Sequence, residues 1–142
     1  MITDAQGRFS QLQDLAGAAA ATVSTNKIDL KSPNANKGLV DRARIVVHAT
    51  EAFAGGTSVQ VAVLQSANAD LSSPDVLLTG SVVTTANATL GAVLFDQRVP
   101  NTTKQYLGLR YTTIGTMTAG MVDGHVVDTV DHQPYVPSNT GR

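Results

Sequence analysis

The sequence predicts an all-β chain folded as an antiparallel sandwich. Three observations lead there. Thr and Val are abundant, and both are β-branched residues that suit a pleated surface. Short apolar-alternating runs recur along the chain with turn residues between them. Sustained helical periodicity is absent. Seven or eight such runs indicate a sandwich, and the eight-strand version of that architecture is the jelly roll.

The runs are placed in order as follows. Val23 to Leu30 is a short strand broken by Asn26. Leu39 to Thr50 is the first long one, with Ile45, Val47 and Ala49 on one face and His48 on the other. Glu51 to Gly56 supplies a turn ending in two glycines. Thr57 to Gln65 alternates cleanly, with Val59, Val61 and Val63 together. Ser66 to Asp75 is a polar loop, followed by a strand from Val76 to Thr85. Leu90 to Val99 puts Val93, Phe95 and Val99 on one side and Asp96 and Arg98 on the other. Lys104 to Thr113 aligns Leu107, Leu109 and Tyr111, and Met117 to Val127 closes the set. The expected organisation is an extended N-terminal arm (1–22), a sandwich (23–127) and a C-terminal tail (128–142) rich in Pro and polar residues.

Composition narrows the functional classes. A chain of 142 residues is one domain's worth of sequence, and 42% apolar content is enough for an ordinary core. The net charge of −1 disfavours a dedicated nucleic-acid binder, which neutralises phosphates with a basic surface. Zero cysteines exclude a disulfide framework, thiol catalysis and thiolate metal sites. No segment is expected to span a membrane, and Leu15 to Val23 lacks the basic flank of a signal peptide. Asn87 and Asn101 match the glycosylation pattern, which carries little weight in a Thr-rich chain without an export signal.

Catalytic patterns are thin. There is no G-x-S-x-G elbow, P-loop or dinucleotide fingerprint. Asp123 and His125 are two apart, so a strand puts them on one face, and Asp128, Asp131 and His132 follow. That set suits a divalent metal in a small cupin-type enzyme, but it reads more simply as a solvent-facing strand running into a polar tail. Asp41-Arg42-Ala43-Arg44 is either a basic site for an acidic partner or a strand start with both arginines in solvent. A glycan-binding module, the alternative binding function, requires exposed aromatic platforms. The chain has no Trp, and its tyrosines are Tyr106, Tyr111 and Tyr135. Tyr106 alternates away from Leu107 and Leu109, as either an exposed interface anchor or a cross-strand packing partner.

Several segments resemble a known family. They are Met1-Ile2-Thr3-Asp4-Ala5, Phe9-Ser10 and Val23-Ser24-Thr25-Asn26-Lys27-Ile28-Asp29-Leu30. Val59 to Gln65, Ser72-Ser73-Pro74 and Lys104-Gln105-Tyr106-Leu107-Gly108-Leu109-Arg110-Tyr111 extend the likeness over most of residues 1–127. Together they resemble the capsid cement, or decoration, proteins of short-tailed bacteriophages, a family whose name-giving member comes from a Bordetella phage. The resemblance implies a jelly-roll virion protein on the outer surface of a phage head, made in the bacterial cytoplasm. It implies no catalysis and no cofactor. The expected partners are the major capsid protein, clamped across neighbouring capsomers, and a second copy of the chain, with a homodimer favoured over a trimer. From exposure and aromatic enrichment, the partner-contacting residues are expected at Ile2, Arg8 and Phe9 in the arm and at Tyr135 and Val136 in the tail.

Overall fold

A computed structural model of the chain describes residues 7–31 and 43–128. Ten strands run in the order β1 (Arg8–Asp14), β2 (Ala21–Val23), β3 (Ile28–Asp29), β4 (Ala43–Ala54), β5 (Ser58–Ser66), β6 (Asp75–Thr79), β7 (Val83–Thr84), β8 (Val93–Arg98), β9 (Tyr106–Ile114) and β10 (Ala119–Asp128). The first sheet has the order β1-β10-β4-β8. The second has the order β2-β9-β5-β6, with β3 on β9 and β7 on β5. All of the pairings between named strands are antiparallel. The chain passes between the sheets at six of the nine connections between these strands, and strands adjacent in sequence are seldom adjacent in a sheet. Two four-strand paths interleaved in this way form a jelly roll, and the all-β sandwich expected from the alternation is the fold.

The core lies between the sheets. Ile45, Val47 and Ala49 of β4 face Val59, Val61 and Val63 of β5 and Leu107, Leu109 and Tyr111 of β9, all of them buried. A polar chain crosses this core. Ser10 Oγ donates to Gln13 Oε1 at 2.6 Å and lies 2.8 Å from the Tyr111 hydroxyl. A serine hydroxyl has one proton, so the tyrosine is the donor in the second bond. Gln13 Nε2 then donates to Val23 O at 2.8 Å. Burial pushes the Tyr111 hydroxyl well above its ordinary value of 10.0, which keeps that donor protonated. Asn26 N–H donates to Phe9 O at 2.8 Å, and the two sheets are tied along this edge.

Several expectations are corrected. The arm does not extend to residue 22, because residues 8–14 form an edge strand of the first sheet and 21–23 an edge strand of the second. The alternation of β1 is hidden by register shifts between Arg8 and Ser10 and between Ser10 and Gln13, where Leu12 takes a φ of +46° and turns outward. The turn expected from Glu51 starts later, since β4 runs through Ala54. Glu51 Oε2 accepts the Gly120 N–H at 3.1 Å across the strand pair. Gly120 has a φ of +146°, and a Cβ there would lie 2.5 Å from Phe53 Cδ1, so only glycine fits beneath that ring. The strand expected from Val76 to Thr85 is split into β6 and β7. In β8, Val93 is exposed, while Leu94 and Phe95 are both buried. The partners of Val47 and His48 are Phe95 and Val93, so Leu94 is an extra residue, and a bulge breaks the period of two.

Candidate partner-binding surface

The outward face of the first sheet gathers charged and imidazole side chains. Its composition follows from register, since residues directly opposite in adjacent strands share a face. One row runs Arg8, His125, Val46, Asp96 across β1, β10, β4 and β8. The next runs Asp123, His48, Val93, and the third Val127, Arg44, Arg98. Arg44 Nε donates to Asp96 Oδ1 at 2.6 Å, and its Nη2 donates to Asp96 O at 3.1 Å. Arg98 lies directly across from Arg44. Like charges in that position repel, so the face carries an electrostatic penalty in the isolated chain. Arg8 Nη1 donates to Gln11 Oε1 at 2.6 Å. Leu12 and Val93 are both 59% exposed. They supply apolar surface beside the charges, and the Leu12 N–H donates to Asp123 Oδ1 at 2.6 Å.

His48 and His125 meet edge to face at the centre, with ring centroids 5.5 Å apart and an interplanar angle of 74°. Burial holds His125 below the ordinary imidazole value of 6.5, with His48 acting the same way. Asp123 opposes the shift, and Arg8 adds to it. The neutral ring is therefore favoured in the fold. As pH falls below 6.5 the unfolded chain takes up its proton first, so stability declines from there down to the depressed native value. Changing His125 to Gln is expected to flatten that part of the acid slope. Urea midpoints of both proteins at pH 7.5, 6.5 and 5.5 provide the check, and parallel slopes refute the expectation.

The residues singled out from sequence distribute unevenly. Arg8 lies on this face. Phe9 does not, because it is fully buried in the core, and its expected role in partner contact is corrected. Ile2, Tyr135 and Val136 lie outside the described residues, as do Arg42, Asp131 and His132. Asp123 and His125 share a face as expected, but among the described residues no group of three or more His, Cys, Asp or Glu is placed to hold a metal. Tyr106 is half-buried on the second sheet, opposite Ser66 of β5 and Asp29 of β3. The sequence reading missed the meeting of His48 with His125. Both were visible as outward residues of strands, but which strands pair is a long-range property.

A family model described as Bbp16 matches residues 9–126, most of the chain and nearly the whole sandwich. That family bears a phage-related name. No curated protein matches the sequence.

Proposed function

The chain belongs to the Bbp16 family, and we propose that it is a capsid cement protein, bound to the outer surface of a phage head where it clamps neighbouring subunits of the major capsid protein. The observation that carries the reading is the family match across the sandwich, taken with the segments that resemble phage decoration proteins. The chemistry of the first sheet's outward face is compatible with it. Arg8, Arg44 and Arg98 stand with His48 and His125 beside Asp96 and Asp123, the row Asp14, Met121, Glu51 adds two more acids at the far end, and exposed Leu12 and Val93 lie among them. Such a mixed surface, with its arginines towards one end, suits a partly apolar protein partner that sets acidic side chains against that end.

The mechanism follows from linkage. A ligand that binds the assembled shell and not its free subunits stabilises the shell by mass action. Two modest contacts on one rigid body gain from effective concentration, so neither contact has to be strong alone. A second copy joined as a homodimer doubles the contacts again. The near-neutral net charge permits dense coverage of a head without strong repulsion between copies.

The test is co-sedimentation of the purified protein with expanded, empty heads that lack it. Saturable binding to heads, with none to free capsid subunits, is expected, and the copy number at saturation identifies the symmetry position. Absence of binding at micromolar protein removes the cement reading.

A further inference from the structure

The outward face of the second sheet carries a cation that the fold leaves uncompensated. Arg110 lies in the middle of β9, in register with Val23 of β2 on one side and Ala62 of β5 on the other. Its side chain is partly buried, and its Nε is buried with no hydrogen-bond partner. The ion pairs among the described residues join Lys31 to Asp29, Arg44 to Asp96 and Lys104 to Asp75, and none includes Arg110. Two residues along the strand the same face is closed. Leu71 lies so close over Gly108 that a Cβ there would be 2.4 Å from its Cδ1. On the other side of Arg110, Val23 is 40% exposed.

A partly desolvated charge without an acceptor is unfavourable. A lysine relieves this by giving up its proton, but a guanidinium stays charged. The isolated chain therefore bears a cost at Arg110 with no return inside the molecule. An acceptor from outside changes the sign, because a carboxylate opposite a guanidinium in a half-dry setting forms a strong, directional pair.

We propose that Arg110 anchors a second contact surface, on the sheet opposite the Arg8–Arg44–Arg98 face, and that its occupant is an Asp or Glu side chain of a capsid subunit beside an apolar residue seated on Val23. The inference rests on the cement reading and deepens it. The two outward faces lie on opposite sides of the sandwich, so one molecule with both engaged touches two different subunits, which is the geometry a clamp requires.

The experiment compares the full-length protein with its R110M and R110K variants in two measurements, thermal unfolding and binding to expanded heads lacking the protein. R110M removes an unpaired charge and keeps the volume, so its Tm is expected to equal or exceed that of the parent. Its binding to heads is expected to weaken about tenfold, with a shallower dependence on salt, and R110K to recover part of both. A purely structural role moves Tm and leaves the salt dependence alone. A fall of several degrees in the Tm of R110M reveals an internal partner and overturns the proposal. So does binding of R110M to heads as tight as that of the parent, an outcome that leaves the cement reading intact. Failure of the unaltered protein to bind heads removes both.

Discussion

Phe9→Ala is expected to destabilise the fold by about 3–5 kcal/mol, the range for removing a fully buried aromatic side chain. For a chain of this size the melting temperature then falls by roughly 10 °C or more. The residue is 0% exposed and packs in the shared core of both sheets. Its carbonyl also accepts the Asn26 N–H at 2.8 Å, and that bond survives the substitution because it is made by the backbone. The loss is therefore packing and cavity energy. Leu12→Ala, three residues along the same strand, is the control. Leu12 is 59% exposed, and its truncation is expected to change stability by no more than about 0.5 kcal/mol. Urea unfolding of the two variants is the check. Equal midpoints, with Phe9→Ala altering only head binding, would restore Phe9 to the surface and refute the core assignment.

That pair of neighbours shows why the sequence was legible in some strands and not in others. In β9 the period of two is unbroken, and Leu107, Leu109 and Tyr111 were assigned to the core by alternation alone. The same holds for Val59, Val61 and Val63 in β5, although Ala62 and Leu64 on the opposite face are also buried. In β1 two register shifts and the positive φ of Leu12 place Phe9 inside and Leu12 outside, an arrangement no fixed period describes. The bulge at Leu94 does the same in β8. Local pattern reports side-chain direction only while the pleat is regular.

The candidate surface was hidden for a different reason. Its members come from β1, β4, β8 and β10, spread from Arg8 to Val127. Some of its outward residues were readable within their own strands, as His48, Asp96 and Arg98 were, whereas Arg8, Leu12 and Val93 were not. Their assembly into one face depends on the strand order β1-β10-β4-β8, which follows from long-range pairing. Arg110 is the extreme case. Nothing local distinguishes it from a solvated strand arginine, and only the packing around it shows its Nε without an acceptor.

The double substitution Arg8→Glu with Arg98→Glu is expected to separate stability from binding most widely. Arg98 is directly opposite Arg44. A glutamate there replaces repulsion with attraction and is worth about 0.2–1 kcal/mol towards stability. Arg8 contributes a hydrogen bond to Gln11 at a partly exposed position, so its loss is small. The doubly substituted protein should then unfold at or near the temperature of the parent. Head binding should move strongly the other way. Arg8 and Arg98 lie on the two edge strands of the sheet, three strand spacings apart and two residues out of row, so more than about 14 Å apart. Effects at that separation are close to additive. If each reversal sets a like charge against an acidic partner and weakens binding about tenfold, the pair weakens it about a hundredfold, mostly through slower association that added salt partly restores. Stopped-flow association with empty heads at two ionic strengths measures this, alongside a thermal melt. A residue retained for the fold loses stability when reversed, and a residue retained for a partner loses affinity. An unchanged association rate, or a melt that falls in step with affinity, shows that this face is turned away from the shell, and it leaves the Arg110 face to carry the contact.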